Sequence, residues 1–456
     1  MNKMLTKMKK AISFFLYLIT FSIPSVASKV STPPLPSEKG TGGEVFTVKV
    51  TNPSDADRRD VPVVVNLHKA LGKQAGTIQS AVVTTIEPSK VSTPPRPLEG
   101  EAGSDIPSQL DDLDGDLVYD ELAFVADIPA LTTLSFKVVC SSVSPMSIYP
   151  PRVNAFMKVW DRKYRYPRIN SIEYQGCNEP LATYDAIYGH GAQWESELVG
   201  FRVYMDHRQS IDIYGKPRPA LTLDSTNFYS TREDIAAGLG CDILFAGASV
   251  GAGSFRGYID GKPTYVDSVE ARGQRVIASG PVRTIVEVTD RGWIYAGQKL
   301  QMRQLYTMYA GHRDVQVDIT MRNTTYSGES DAEAYVQHEA LRFCSGVQKL
   351  ERDNVGFAEA YGLVGSWGLN VPDKAAEDLV EGVGLGVYAA APYLINTCED
   401  DLNYLTILRS ANSRIRYHLA ICALMEEGGF RSAEEWFAWL RKWRRELDEP
   451  CTIKTK

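Results

Sequence analysis

Apolar residues recur at every second position along much of the chain, which is the spacing of β-strands that bury one face. The clearest example, residues 313–321, places four apolar side chains on one side: Val315, Val317, Ile319 and Met321. Residues 282–289, 335–343 and 415–423 alternate in the same way. Glycine-rich turns such as residues 247–257 separate these stretches. The sequence therefore predicts an all-β fold class, with a large antiparallel β-sandwich over residues 150–456.

A second, smaller β-domain is predicted before it. Four short apolar runs between residues 44 and 142 read as strands, with the sequences EVFTVKV, VPVVV, ELAFVAD and LSFKVV. They indicate an N-terminal β-sandwich. Helical spacing occurs near the C-terminus, where Ser432 and Glu435 form a capping-box pattern. An apolar stripe follows it: Trp436, Leu440, Trp443 and Leu447. We predict an amphipathic helix that packs on the large sandwich through Trp436, Leu440 and Trp443.

The N-terminus resembles a secretory signal. Four lysines precede an apolar run, and small residues follow at Ser25-Val26-Ala27. We expect residues 1–27 to be a signal peptide and residues 28–43, rich in Ser, Pro and Gly, to be a flexible linker. The apolar run is short for a membrane span. The expected location is the periplasm or the exterior, without membrane insertion.

Charge and cysteine spacing limit the partners. The chain carries a net charge of −7, and loss of the four lysines makes it −11. An acidic chain without a basic run argues against nucleic acid as a partner. None of the seven cysteines forms a CxxC pair, so zinc-ribbon spacing is absent, and an odd count leaves at least one thiol outside intramolecular pairing. The pattern does not determine the oligomeric state.

Residues 188–216 carry the highest density of chemically able side chains. Their apolar positions 199, 201, 203 and 205 alternate like a strand, which places Arg202, Tyr204 and Asp206 on the opposite face. Arg208 continues this row. The remaining polar and aromatic residues of the segment are His190, Trp194, Glu195, Asp212, Tyr214 and Lys216. We interpret the row as the lining of a polar groove, although a solvated face with ion pairs would show the same pattern.

An acidic turn lies inside the N-terminal sandwich. Asp112, Asp114 and Asp116 surround Gly115 and resemble a calcium loop. The glycine falls one position early for an EF-hand, and no bidentate glutamate occupies the twelfth position. An Asp- and Gly-rich turn between strands accounts for the pattern equally well. No metal or other cofactor is expected, with calcium at this turn as the alternative.

Four stretches resemble an exported family catalogued as domain of unknown function 4861. They are QLDDLDGDLVYDELAF, YGHGAQWESELVGFRVYMDHRQSIDIYGK, GASVGAGSF and GGFRSAEEW. Members of that family occur beside enzymes that degrade pectic and other uronate-bearing glycans in Bacteroidota. The resemblance implies a glycan substrate and a sandwich related to those of carbohydrate enzymes. It supplies no catalytic residues.

The residue types favour one chemistry over its alternatives. A polysaccharide lyase neutralises the uronate carboxylate, removes the neighbouring proton and protonates the leaving oxygen. Arginine suits the first role because its planar fork pairs with a carboxylate. We assign catalytic roles to His190, Tyr204 and Tyr214. The substrate-binding residues are Arg202, Asp206, Arg208, Lys216, Trp194 and Glu195.

Two alternatives stay open. A glycoside hydrolase would use two carboxylates, and the candidates are Glu195, Asp206, Asp212 and Glu339 beside His338. A non-catalytic glycan-binding protein would stack sugars on aromatic side chains, which the 23 tyrosines and 7 tryptophans supply. The density of titratable groups in residues 188–216 favours the enzyme.

Overall fold

Antiparallel β-sheets form most of the regular structure of this protein. The computed structural model describes residues 43–86, 105–144, 149–160, 167–176, 186–226, 230–324, 341–370 and 381–456. Within them, the strands assemble into five sheets with antiparallel pairing. The helices are short, apart from one near the C-terminus: α1 (Leu67–Leu71), α2 (Arg232–Ala236) and α3 (Ala433–Asp448).

Two sheets form the N-terminal sandwich. The first has the order β28-β1-β7-β3-β4 and contains β1 (Glu44–Thr51), β3 (Ser80–Ile86), β4 (Asp105–Ile106), β7 (Thr133–Ser141) and β28 (Thr452–Thr455). The second has the order β2-β6-β5 and contains β2 (Arg58–Asn66), β5 (Ser108–Asp111) and β6 (Glu121–Ile128). Alternating apolar residues from both sheets meet in one core, including Val48, Val63, Phe124 and Phe136.

Three sheets form the large sandwich. The nine-stranded sheet has the order β10-β17-β18-β19-β20-β27-β24-β23-β22. Its strands are β10 (Ser171–Gln175), β17 (Ala271–Ser279), β18 (Arg283–Tyr295), β19 (Gln298–Tyr309), β20 (Asp314–Asn323), β22 (Arg352–Glu359), β23 (Leu363–Asn370), β24 (Glu381–Tyr388) and β27 (Arg414–Ala423).

The other two sheets pack against it. The six-stranded sheet, of order β14-β13-β12-β11-β8-β9, contains β8 (Val153–Lys158), β9 (Arg168–Ile169), β11 (Gln193–Ser196), β12 (Gly200–Val203), β13 (Ile211–Gly215) and β14 (Cys241–Asp242). The five-stranded sheet, of order β16-β15-β21-β26-β25, contains β15 (Arg256–Ile259), β16 (Lys262–Thr264), β21 (Phe343–Gln348), β25 (Leu394–Glu399) and β26 (Asn403–Leu408).

The main core lies between these sheets. Val315, Val317 and Ile319 of β20 are fully buried there, as their alternation predicts. Trp194 and Phe201 of the six-stranded sheet contribute to the same core, and their rings stack. The all-β fold class is confirmed. Of the four predicted strands, residues 335–340 lie outside the described residues.

Helix α3 packs on the nine-stranded sheet as predicted. Ser432 caps it by accepting a hydrogen bond from the Glu435 N–H, while the Glu435 carboxylate accepts one from the Arg431 N–H instead of closing the box on Ser432. Trp436, Leu440 and Trp443 are buried against β23, β24 and β27. Glycine at position 386 makes this possible, because a Cβ there would lie 2.3 Å from Leu440 Cδ2. The helix therefore covers the open face of this sheet.

The last strand was not predicted. β28 follows α3 and pairs with β1, so the C-terminal residues complete the sheet of the N-terminal sandwich. The pairs include Val48 with Thr455 and Val50 with Ile453. The short sequence TIKT carries too little hydrophobic pattern to predict a strand, and its partner lies about 400 positions earlier in the chain.

The turn between β19 and β20 joins three sheets. The His312 imidazole contacts the Asp314 carboxylate through Nδ1 at 2.8 Å and the Asp60 carbonyl of β2 through Nε2 at 2.9 Å. Its carbonyl accepts a hydrogen bond from the Ser196 hydroxyl of β11 at 2.6 Å. This histidine therefore links the N-terminal sandwich to the six-stranded and nine-stranded sheets of the large sandwich.

The pKa values of two neighbouring histidines are shifted in opposite directions. Burial alone would lower the pKa of His312, but Asp314 and the Asp60 carbonyl outweigh it and raise the pKa to about 9. Burial lowers the pKa of His418, on β27, to about 4. The ordinary histidine value is 6.5.

These shifts predict a maximum of stability near the ordinary histidine pKa. Between pH 6.5 and 9 the folded His312 holds a proton that the unfolded chain loses, so the free energy of unfolding falls as pH rises. Below pH 6.5 this histidine becomes protonated in the unfolded chain, while the folded His418 stays neutral down to about pH 4. The free energy of unfolding therefore also falls as the pH drops from 6.5 towards 4. We expect each decline to be on the order of 3 kcal/mol in denaturant titrations.

The variant His312→Gln should flatten the alkaline decline and leave the acidic one in place. His68→Gln is the control, because the His68 side chain is 51% exposed. An alkaline decline of unchanged slope in His312→Gln would show that another group is responsible.

Candidate functional site

The six-stranded sheet has one apolar and one polar face over residues 193–216. Alternation directs Trp194, Phe201, Val203, Ile211 and Ile213 into the main core. The opposite face carries Gln193, Glu195, Arg202, Asp212, Tyr214 and Lys216, and each of them is buried as well. Burial of charged side chains costs several kcal/mol per ion unless they are paired and hydrogen-bonded. The partners on this face therefore decide what the face can do.

Lys216 and Glu195 form one buried ion pair. The Lys216 ammonium donates its three hydrogen bonds to the Glu195 carboxylate, to the Ser196 carbonyl at 2.7 Å and to the Ala220 carbonyl at 2.8 Å. Glu195 also accepts from the N–H groups of Thr222 at 2.8 Å and Leu223 at 3.1 Å. Desolvation lowers the pKa of Lys216 despite this carboxylate. The pair fixes residues 217–223 over one part of the polar face.

Arg202 forms the second pair with its cross-strand neighbour. Register places Arg202 of β12 opposite Asp212 of β13, and its Nε donates to Asp212 Oδ2 at 2.9 Å. Asp242 of β14 lies 3.6 Å from the same guanidinium. The rings of Tyr204 and Tyr214 lie 5.5 Å from the Arg202 Cζ, within cation–π range. This arginine holds both tyrosines beside it.

The strand ends at Val203, earlier than the predicted run to Met205, and residues 204–210 form a loop. The Tyr204 N–H donates to the Ser210 carbonyl at 3.0 Å and closes this loop. Asp206 starts an Asx-type turn by accepting the Arg208 N–H at 2.9 Å. Gln209 anchors the loop from below through Asp290 at 2.7 Å. A turn of fixed shape thus replaces the predicted continuous row.

The loop brings three predicted residues together at its surface. The Tyr204 ring lies 5.8 Å from the His190 ring and 5.1 Å from the Arg208 Cζ. All three side chains are partly exposed. We call His190, Tyr204 and Arg208 the rim. Their position above the buried pairs makes them the members of the predicted set that a ligand can reach.

The other predicted site residues are buried, whereas the sequence pattern placed them along an open groove. Trp194 has no exposed surface because it belongs to the main core, so it offers no sugar-binding surface. Glu195, Lys216 and Arg202 are each at most 1% exposed. Asp206 and Tyr214 are buried as well, at 1% and 3%. These residues position the loop and the rim, and in this structure none of them presents a surface to a substrate.

The glycines beside His190 serve packing. A Cβ at Gly191 would lie 1.9 Å from the Val203 carbonyl oxygen. A Cβ at Gly189, where φ is +78°, would lie 2.6 Å from Gln193 Nε2. The turn Tyr188–His190 is pressed onto strands β11 and β12. That contact fixes the position of His190.

Sequence reasoning missed Asp242, Trp160 and the backbone N–H groups of Thr222 and Leu223. Asp242 stands alone beyond the segment, and its role depends on the pairing of β14 with β13. Trp160 follows β8 and stacks on Tyr188. The predicted candidates His338 and Glu339 lie outside the described residues.

The acidic turn is a hydrogen-bonded structure in its own right. Ligand atoms of Asp112, Asp114 and Asp116 lie within 4.8 Å of one another, which is close enough to surround a cation. The same carboxylates accept backbone N–H groups, including Gly115 to Asp112 at 2.7 Å and Val118 to Asp116 at 2.8 Å. Hydrogen bonds from Gly115 and its neighbours lower the pKa of Asp112. Calcium binding here stays a prediction.

A separate open cleft lies between this turn and the nine-stranded sheet. It has a volume of about 400 Å³ and is lined by Asn66, Leu113, Asp114, Asp120, Arg275, Glu287 and Arg303. Glu287 pairs with both arginines. The lining contains no histidine or tyrosine to transfer a proton. We therefore favour the rim as the candidate site.

Comparison with known proteins places the chain in a family. The model of a family described as "Domain of unknown function (DUF4861)" matches residues 50–453. The chain belongs to the DUF4861 family. This confirms the resemblance of the four stretches. No curated protein sequence matched the chain.

Solved structures that the chain resembles include two from Enterococcus faecalis. One is an alpha-mannosidase of strain V583, with 11% identity and a TM-score of 0.42. The other is a protein in the glycosyl hydrolase family 38, with 9% identity and a TM-score of 0.44. Each comparison covers 90% of this DUF4861 chain but only 46% and 47% of the other chain. The chain thus spans less than half the length of these structures.

Among the described residues, no helix of this DUF4861 protein has the length and apolar character needed to cross a membrane.

The variant Lys216→Met should lower the free energy of unfolding by about 3–5 kcal/mol, because it leaves the buried Glu195 carboxylate without its cation. Adding Glu195→Gln should recover a large part of this loss. A glutamine can accept the Thr222 N–H and donate to the carbonyls that Lys216 leaves. Denaturant unfolding measures both. A loss below about 1 kcal/mol in the single variant would mean that the pair behaves as an exposed one.

Proposed function

We propose that this DUF4861 protein is a carbohydrate-active enzyme that acts on an acidic, uronate-bearing glycan at the rim, by β-elimination. Its substrate would be a plant or algal polysaccharide or an oligosaccharide derived from one. The basic and apolar N-terminal segment supports a further part of the proposal, that the protein works in the periplasm or outside the cell.

The main support for the proposal is that the loop 204–210 exposes an arginine and buries its carboxylate partner. Arg208 exposes 36% of its side chain, whereas its partner Asp206 exposes 1%. The Nε of Arg208 donates to Asp206 at 2.7 Å, which holds the guanidinium in a fixed orientation. The loop therefore presents positive charge to solvent and keeps the balancing carboxylate underneath. A preorganised guanidinium of this kind suits the carboxylate of a uronate.

A second arginine adds positive charge beneath the same loop. Arg256 is 2% exposed and donates to the Phe255 carbonyl at 2.9 Å and the Ser210 hydroxyl at 3.4 Å. Across the described part of the chain, no carboxylate pairs with this guanidinium, and burial lowers its pKa. A buried cation without a counter-charge favours an anion nearby. This supports an acidic ligand over a neutral sugar.

The rim also contains the groups that a β-elimination requires. A base takes the C5 proton of the uronate, the freed electron pair forms a C4=C5 double bond, and the C4–O bond breaks with protonation of the leaving oxygen. Tyr204 and His190, with ring centres 5.8 Å apart, supply the two proton-transfer groups. Arg208 would hold the carboxylate, so that its charge does not oppose removal of the proton.

Hydrolysis fits the described residues less well. A hydrolase needs one carboxylic acid and one carboxylate facing the glycosidic bond. Glu195, Asp206 and Asp212 are between 0% and 5% exposed, and each is held by lysine or arginine. None of these three carboxylates reaches the surface at the rim.

Activity measurements on a panel of pectic, ulvan-derived and glucuronate-bearing oligosaccharides test the proposal. Wild-type protein should release products that absorb ultraviolet light through their C4=C5 bond. The variant Tyr204→Phe should lower kcat/KM by about 10²–10⁴-fold, the usual effect of removing an acid–base group. Arg208→Lys should lower it by roughly tenfold, because a lysine cannot pair bidentately.

Tyr361→Phe is the matched control, because Tyr361 is 67% exposed in the turn between β22 and β23. It should retain full activity. Products without ultraviolet absorbance would indicate hydrolysis, and binding without any product would indicate a glycan-binding protein. If Tyr204→Phe is as active as Tyr361→Phe, Tyr204 takes no part in the reaction.

A further inference from the structure

An exposed tryptophan stands beside the rim. Trp160 is 43% exposed, and its ring stacks on Tyr188 with centroids 5.6 Å apart and planes 16° from parallel. Tyr188 is 8% exposed, so it supports the tryptophan from the protein side. We call these two residues the aromatic shelf. A broad aromatic ring held flat at the surface offers an apolar face on which a sugar ring can stack.

The backbone fixes the shelf in place. The Trp160 N–H donates to the Ala186 carbonyl at 2.6 Å, and Val159 forms a bridge with Ile187. The Lys158 ammonium lies 5.7 Å from the Tyr188 ring centre and pairs with Asp224. The ring of Trp160 is therefore preorganised, which reduces the entropy lost when a ligand stacks on it.

The shelf and the rim lie at the two ends of one short turn. Tyr188 and His190 both belong to the turn Tyr188–His190, and Gly189 between them packs on the Arg202 side chain. From His190 the rim continues to Tyr204. A chain of sugars that runs from the rim along this turn would contact the shelf as well.

We propose that the aromatic shelf is a second sugar subsite, which binds the apolar face of the pyranose next to the uronate held at the rim. This inference rests on the proposed function and extends it. It makes the ligand an oligosaccharide of at least two residues. The rim would recognise charge, and the shelf would recognise the ring itself, with little dependence on the charge of the second sugar.

Titration calorimetry with uronate-bearing oligosaccharides of one to four residues tests the shelf. The affinity of wild-type protein should rise by about tenfold from one residue to two, which is the scale of one buried aromatic contact. Trp160→Ala should abolish this rise and leave the affinity for the single uronate unchanged. Trp160→Tyr should restore part of it.

Tyr361→Ala is the control for removal of an exposed ring, and it should bind each oligosaccharide as wild type does. If the affinity of Trp160→Ala still rises from one sugar residue to two as in wild type, the aromatic shelf is not a sugar subsite, and the proposal for the rim is unaffected. Failure of wild-type protein to bind any of the oligosaccharides would overturn the proposed function and the shelf together.

Discussion

The buried ion pairs on the outer face of the six-stranded sheet determine the rest of the site. Lys216 with Glu195 and Arg202 with Asp212 place four charges where they are almost inaccessible to water. Such pairs are weak sources of stability, because desolvation offsets much of their attraction. They do fix geometry, since each group must keep its partners. Here they hold residues 217–223 and the two tyrosines beside Arg202 in one arrangement.

This arrangement separates the chemistry of the protein into two layers. The lower layer contains charges that are already neutralised, and the upper layer contains His190, Tyr204 and Arg208 at the surface. The loop 204–210 connects them, because Gln209 reaches the core while Arg208 reaches solvent. A loop fixed at both levels can hold side chains with the precision that binding or catalysis requires. Arg208 is the exposed cation of the upper layer, and its partner Asp206 is buried.

The sequence predicted the parts of this protein that depend on local periodicity. Alternation identified β20 and the N-terminal strands, and a cap with an apolar stripe identified α3. Periodicity also separated Arg202 from Phe201, on opposite faces of β12. It did not reveal that both faces are buried, because burial of the polar face depends on residues 217–223 folding over it. Polar composition alone suggested exposure.

The sequence also did not predict the long-range contacts. The pairing of β28 with β1 and the contact of Asp242 with Arg202 join residues that are distant along the chain. The stacking of Trp160 on Tyr188 depends on the path of the backbone between them. The packing role of the glycines around His190 also depends on contacts between separate strands. Those glycines allow close packing on Val203, and that packing brings His190 to Tyr204.

We propose that the rim recognises the charge of a uronate through Arg208. Calorimetric affinities of oligogalacturonate and oligoglucuronate, each compared with its methyl ester, test it most directly, because the ester removes the charge and keeps the sugar. For wild-type protein the free acid should bind about tenfold or more tightly than the ester, and Arg208→Met should bind the two alike. Equal affinities for acid and ester in the wild type, or a preference for the acid that survives in Arg208→Met, would show that Arg208 does not recognise the charge of the uronate.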